Sequence, residues 1–198
     1  MKLNEEYIKF SSEWEKAEIE FDQNILAEIN EIRTKLKGKN WLGELPNGIG
    51  FGNISVRLPN SNHFLITGSA TGGLKLLSKH HISKVEKVNI DKNWLKCFGE
   101  TIASAESLSH AIFYEHSEHI KAVIHIHNAE VWKQQLHQLP TSSVSAEYGT
   151  PEMAISLKEE LVQINQTSGI IIMGGHVDGI LAFGINLSDA FHLLNKLQ

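Results

Sequence analysis

Residues 106–127, ESLSHAIFYEHSEHIKAVIHIH, constrain the fold of this chain more than any other stretch. They read as a helix that presents a carboxylate, a short polar turn, and a buried strand ending in His-x-His. Side chains alternate along a strand, so His125 and His127 point to one face and Ile126 to the other. Two imidazoles are thereby aimed at one point. His-x-His is short, and a chain with 11 His in 198 residues contains it readily by chance. Two further features give it weight. The strand is apolar through Ala122, Val123 and Ile124, so the histidines emerge at its C-terminal end, where open α/β sheets carry their sites. Ile170-Ile171-Ile172-Met173-Gly174-Gly175-His176 repeats the arrangement, with an apolar strand, a glycine turn and a histidine. Three protein ligands with a fourth position open is the pattern of a catalytic zinc.

The remaining chain sets limits on what such a site can serve. A length of 198 residues with 41% hydrophobic content supports one sizeable core. A net charge of -5 argues against a nucleic-acid partner, which calls for a basic face. No apolar run approaches the length of a membrane span. The first residues, Met1-Lys2-Leu3-Asn4-Glu5-Glu6, carry charge where a signal peptide needs its apolar region. The single cysteine, Cys97, cannot form an internal disulfide and fits a packed residue in a cytoplasmic protein.

In chain order, Tyr7, Phe10, Trp14, Ala17, Phe21, Ile25, Leu26, Ile29, Ile32 and Leu36 recur mostly at spacings of three and four. This predicts an amphipathic helical segment over residues 4–36, broken near Asp22-Gln23-Asn24. Residues 41–50 are rich in glycine and turn formers. Residues 51–58 alternate and turn through Pro59-Asn60-Ser61-Asn62 into His63-Phe64-Leu65-Ile66-Thr67, which predicts a hairpin. The following Gly68-Ser69-Ala70-Thr71-Gly72-Gly73 has the small residues and accessible amides of an anion cradle, although an ordinary flexible turn has the same composition. Residues 85–90 and 94–98 read as strand, turn, strand. Ser104 is positioned to cap a helix beginning near Ala105, with Glu106 in its first turn and His110 on the same face. Residues 129–139 read as a helix. Thr150-Pro151 opens another, running to about Asn165. A last strand over 179–184 precedes a helix capped by Ser188.

Taken together and in this order, these motifs resemble the class II aldolase and adducin superfamily, the zinc-dependent sugar-phosphate aldolases of the fuculose phosphate kind, from about Gly52 to the last helix. Gly52-Asn53-Ile54-Ser55-Val56-Arg57 is similar to the family's Gly-Asn-x-Ser-x-Arg strand, and Leu65-Ile66-Thr67 to its Leu-Ile-Thr strand before the phosphate loop. Ser104-Ala105-Glu106 stands where the family has Ser-Ser-Glu, His125-Ile126-His127 matches its metal strand and His176 its third ligand. The resemblance implies an α/β fold, a single class II aldolase-like domain over residues 1–198. Its central, mainly antiparallel β-sheet would be flanked by helices in an α/β/α arrangement, with residues 1–40 as a helical segment packed on it. It implies Zn2+, or another divalent metal such as Mn2+ or Co2+, on His125, His127 and His176, and Glu106 as the catalytic acid and base. It further implies substrate or phosphate binding by Gly52, Asn53, Thr67, Gly68, Ser69 and Ser104, and a homotetramer with active sites at subunit contacts.

The departures from the family pattern bear on substrate. Ala105 replaces a serine that contributes to phosphate binding in the aldolases, and residues 68–72 differ from the usual Thr-Pro-Ser/Thr-Gly. The segment that brings the aldolases' catalytic tyrosine from a neighbouring subunit is missing, and Tyr148 is the nearest aromatic hydroxyl, aligned with a tyrosine before the Gly-Thr helix start. Val177 and Asp178 separate His176 from Gly179, where Asp178 reads as a turn residue.

The chemistry expected of such a site is metal-dependent lyase chemistry of aldolase type. A carbohydrate or hydroxy-keto substrate chelates the metal, which stabilises the enediolate left when a C–C bond breaks, while Glu106 moves protons beside it. Dehydration or epimerisation of a sugar phosphate uses the same site. A non-enzymatic, adducin-like interaction module shares the fold and is the contrasting expectation.

Overall fold

Alternating apolar residues place the strands, and cap residues place the helices. The computed structural model describes residues 8–197. Its strands are β1 (Ser11–Glu15), β2 (Gly43–Glu44), β3 (Gly50–Phe51), β4 (Asn53–Arg57), β5 (Phe64–Thr67), β6 (Ile82–Asn89), β7 (Trp94–Phe98), β8 (Ala122–His127), β9 (Gly169–Ile172) and β10 (Gly179–Gly184). The helices are α1 (Gln23–Gly38), α2 (Ser107–His116), α3 (Ala129–Gln135), α4 (Pro151–Ile164) and α5 (Leu187–Asn195). Eight strands form one sheet in the order β1-β7-β6-β5-β4-β8-β10-β9, while β2 and β3 pair as a separate small hairpin. Every pair in the large sheet is antiparallel except β1 with β7.

The sheet has helices on both faces, and β8 shows how its sequence feeds each layer. Val123 joins α2 and α4 residues such as Leu108, Phe113, Met153 and Leu157 in one core. Ala122, Ile124 and Ile126 join Ile32 and Leu36 of α1 and Ala190 and Leu194 of α5 in the other. Each fully buried aliphatic side chain contributes about 1.5–3 kcal/mol, and a one-residue slip of β8 would turn Ile124 and Ile126 out of their core and the histidines into it. The mixed α/β architecture with a largely antiparallel central sheet therefore follows from alternation.

The N-terminal segment differs from its helical spacing. Residues 11–15 form strand β1, parallel to β7, with Ser11 N–H donating to Asn93 O at 2.9 Å and Trp14 Nε1 to Gly99 O at 2.9 Å. All five side chains of β1 are exposed, so the strand is held by backbone bonding at the sheet edge rather than by an apolar stripe. Helix begins only at Gln23, where Asp22 accepts the Asn24 N–H, and its buried stripe is Ile29, Ile32, Arg33 and Leu36. Tyr7 lies outside the described residues.

Three other helix limits shift. Helix α2 starts at Ser107 instead of Ala105, because the Ser104 carbonyl takes both the N–H and the hydroxyl of Ser107 and leaves Glu106 just outside the helix. Leu136 leaves the helical conformation and ends α3 before Leu139. Asn186, not Ser188, caps α5, since its side chain accepts the Asp189 N–H at 2.8 Å. Thr150 caps α4 and Pro151 occupies its first turn, as the sequence indicates.

Candidate active site

Strand pairing on both sides of β8 fixes the floor of a cleft. His125 is opposite Asn53 of β4 and Leu181 of β10, and His127 is opposite Gly179. His176 arrives on the tight turn between β9 and β10, closed by His176 N–H to Met173 O and Gly179 N–H to His176 O. Asp178 sits in this turn with φ 69°, and its carbonyl takes the Asn128 N–H, so it is a turn residue. Gly179 is required by close approach. A Cβ there would lie 2.5 Å from His176 Cδ2 and 3.2 Å from His125 Nε2.

The turn brings the third histidine onto the other two. One ligand atom from each of His125, His127 and His176 lies within 4.8 Å of the others, and His176 Nε2 is 3.1 Å from His127 Nε2. Two ring nitrogens at that distance need a proton between them or a shared cation. His125 Nε2 is buried with no hydrogen-bond partner. Burial holds all three imidazoles neutral, pushing His127 down to about 4, His176 to about 3 and His125 well below its ordinary value. Neutral imidazoles are the form that ligates, so this donor set fits a divalent metal.

Glu106 stands beside them, 5% exposed, with Oε1 3.6 Å from His176 Nε2 and Oε2 unpartnered. Burial pushes its carboxyl up to about 7. Ser109, whose hydroxyl has no well-formed hydrogen bond, and the charge of Lys9 pull weakly the other way. An acid near 7 can both take and return a proton at neutral pH.

A cleft of about 500 Å³ opens over this group. Gly52, Asn53, Gly68, Ser69 and Ser104 all line it, together with Glu106 and the three histidines. Gly52 has φ +75°, and a Cβ there would crowd Leu42 and the His125 carbonyl. Thr67 does not line the cleft. It is 1% exposed, and its hydroxyl is turned toward β4, accepting the Ile54 N–H at 3.2 Å. His110 also stays out of the cleft, bonding Ser55 Oγ through Nδ1 at 2.7 Å. Ser55 in turn meets the Tyr114 hydroxyl at 2.6 Å, so these residues form a polar knot beneath the floor.

The glycine-rich wall is organised from behind. Arg33 Nη2 donates to the carbonyls of Thr71 and Leu74 at 2.9 and 3.0 Å, and Lys37 Nζ to those of Gly72 and Gly73 at 2.8 and 3.0 Å. Ala70 takes φ +58°. The N–H groups of Ala70, Thr71 and Gly72 have no protein acceptor among the described residues. Carbonyls tied back by cations and amides left free describe a concavity suited to an anion. Sequence spacing offered no sign of Arg33 and Lys37, because they meet the loop across more than thirty residues. Tyr148 also lines the cleft, its ring centroid 4.7 Å from that of His176. Its place before a helix start gave only proximity in sequence, not this contact.

The description "Class II Aldolase and Adducin N-terminal domain" belongs to the family model that matches residues 46–198. No curated protein sequence matches the chain. Among solved structures, an L-fuculose 1-phosphate aldolase superposes with a TM-score of 0.69 at 22% identity, covering 89% of this chain and 82% of that one. YgbL from Escherichia coli, titled a putative aldolase/epimerase/decarboxylase, gives 0.63 at 20% identity, covering 88% and 85%. A sugar-phosphate aldolase from Thermotoga maritima gives 0.65 at 16% identity, covering 88% and 90%. At these identities the superpositions speak for the fold.

Proposed function

We propose that this chain, which belongs to the class II aldolase and adducin family, is a metal-dependent lyase of aldolase type that cleaves or forms a C–C bond in a ketose-like substrate. The observation that carries this reading is a buried carboxyl poised near neutrality beside three neutral imidazoles, all facing one cleft. His125, His127 and His176 would hold the metal, zinc being our choice for an all-imidazole set. When bound, it supplies Lewis-acid polarisation of the substrate carbonyl and its neighbouring hydroxyl.

The protein groups do the rest. Glu106 takes a proton from the substrate and later returns one, which its displaced titration permits at neutral pH. Asn53, Gly52 and Ser104 bound the floor, and Ser69 and Gly68 the wall. The free amides of residues 70–72, with Arg33 and Lys37 behind them, support an anionic group on the substrate, either phosphate or carboxylate. Thr67 is left as a support for β4. A homotetramer is part of this proposal on family membership alone. The buried, free Cys97 suits the cytoplasm.

Dehydration and epimerisation begin from the same proton transfer, and the free anion cradle suits a sugar phosphate in either. An adducin-like scaffold has no use for three buried polar atoms without partners, Asn53 Oδ1, Glu106 Oε2 and His125 Nε2, each of which costs about 1–3 kcal/mol.

The test begins with metal content by mass spectrometry on tag-free protein, alongside the double variant His125→Ala/His127→Ala. About one equivalent of a divalent metal in the wild type and none in the variant is expected, followed by metal-dependent cleavage in a screen of ketoses and ketose phosphates. A wild type that neither carries zinc, cobalt or manganese nor can be loaded with them refutes the lyase reading.

A further inference from the structure

The lip of the cleft is a hairpin whose tip holds the one Asn-Gly pair in the sequence, Asn47-Gly48. Strands β2 and β3 pair only through Gly43 with Phe51 and Glu44 with Gly50. The tip is closed by Leu45 N–H to Ile49 O at 2.8 Å and Gly48 N–H to Leu45 O at 2.9 Å. Residues 44–48 are all exposed. Gly48 takes φ +82° with open space where a side chain would stand, so no side chain crowds its peptide nitrogen. Asn47 Oδ1 accepts the Ile49 N–H at 3.3 Å, which folds the carboxamide back over the Gly48 peptide and polarises it. The bond from Gly48 N–H to Leu45 is the main restraint on that nitrogen, and it belongs to an exposed hairpin of two residue pairs, the kind of element that opens locally.

Both residues line the cleft, and among the described residues no lysine or arginine does. The hairpin abuts the wall that carries the free amides, since a Cβ on Gly50 would lie 3.0 Å from Gly72 N. We propose that Asn47 is a site of spontaneous deamidation, and that the carboxylate formed there lowers the affinity of the cleft for anions. The covalent step needs only water. The Gly48 nitrogen gives its proton to solvent and attacks Asn47 Cγ. A five-membered imide forms, and the amide nitrogen leaves as ammonia. Water then adds to one of the two imide carbonyls, the ring opens, and the Gly48 nitrogen regains a proton. One water enters, one ammonium leaves, and position 47 carries a new negative charge. Opening at the side-chain carbonyl gives aspartate. Opening at the backbone carbonyl gives isoaspartate, which adds a methylene to the span that the Leu45–Ile49 bond must close. A carboxylate at the tip finds no cation in the cleft and repels a second anion there, by an amount that dissolved salt screens. The effect on anions rests on the anion seat proposed above; the modification does not.

The experiment ages full-length, metal-loaded protein in warm, mildly alkaline buffer and follows its digest by tandem mass spectrometry. Asn47 should gain the mass of an OH exchanged for NH2 before any other asparagine of the chain, and Asn47→Gln should remove that gain. Isoaspartate, read by enzymatic methylation of the new carboxyl, should appear with it. Calorimetry with inorganic phosphate and, separately, glycolate should show unaged Asn47→Asp binding about two- to fourfold more weakly than wild type in low salt, with the difference gone in high salt. No gain at Asn47, or a gain later than elsewhere, overturns the modification. A loss in Asn47→Asp that salt does not relieve, or no loss at all, overturns the charge effect and leaves the modification standing. A wild type that binds neither anion overturns the anion seat and the charge effect together, while the metal site keeps its own test.

Discussion

The histidine floor of the cleft is fixed by strand pairing, whereas its glycine-rich wall is a loop fixed by two cations from α1. On the floor, β8 is bonded to β4 and β10 along its length, and its alternate side chains fill a core. A shift there would cost the whole register. On the wall, four carbonyls of residues 71–74 rest on Arg33 and Lys37, and the loop offers little apolar surface of its own. A single substitution can therefore reshape the wall and leave the floor intact. The chain also departs from the family motif at the wall and keeps it at the floor, which is the division expected if metal chemistry is held constant and substrate recognition varies.

Breaking the floor should give the largest effects. Glu106→Gln keeps the shape of the side chain and removes its titration, so kcat should fall about 10²–10⁴-fold with metal content unchanged; a loss under tenfold would remove Glu106 from the chemistry. Gly179→Ala inserts a methyl 2.5 Å from His176 Cδ2, and metal affinity measured by competition with a chelator should drop about 10–100-fold. A wild-type affinity would mean that the turn yields freely.

The floor should also be sensitive to acid in a way the wall is not. Burial depresses His110 to about 3. Between that value and its ordinary 6.5 the unfolded chain takes up a proton that the native state refuses, so stability falls as pH drops through this window, by up to about 1.4 kcal/mol per pH unit. The depressed floor histidines act in the same direction in metal-stripped protein. Glu106, raised to about 7, acts oppositely between 4.5 and 7, and one group against four does not reverse the trend. Urea unfolding of metal-stripped His110→Gln at pH 4–6.5 should give the shallower curve, and an unchanged slope would contradict a neutral buried His110.

The smallest expected effect lies at the wall. Arg33→Met removes two hydrogen bonds to loop carbonyls, but also a buried guanidinium whose Nε and Nη1 have no partner. The two terms oppose, so global stability should change by less than about 1 kcal/mol. The KM for an anionic substrate should rise severalfold while metal content holds. A matching loss of metal would show that wall and floor are one unit.

Sequence legibility divides along the same line. Strand alternation and a glycine turn suffice to place His125, His127 and His176, because both are local signals with a fixed geometric meaning. Glu106 was equally visible, although Ser104, two residues before it, opens a turn closed by Ser107 and does not cap the helix. Trp14 misled because Phe10, Trp14, Ala17 and Phe21 fall at helical spacing by coincidence, while the strand that contains Trp14 is held by backbone bonds to β7 that leave no mark on side-chain pattern. Thr67 misled because a motif gives a position on a strand and not the direction of a hydroxyl. Arg33, Lys37 and Lys9 act over long sequence separations, and only the folded chain shows what they touch.

Asn53 stands at the end of β4, between floor and wall. Its Nδ2 is 3.3 Å from His125 Nδ1, and its Oδ1 is buried without a partner. With the amide in that orientation the ring nitrogen accepts, and the imidazole proton resides on Nε2. Half a turn of the amide presents Oδ1 instead, draws the proton onto Nδ1 and bares the Nε2 lone pair. The amide that faces His125 therefore sets which ring nitrogen carries the proton, and the orientation with Oδ1 toward Nδ1 is the one that leaves Nε2 free to ligate.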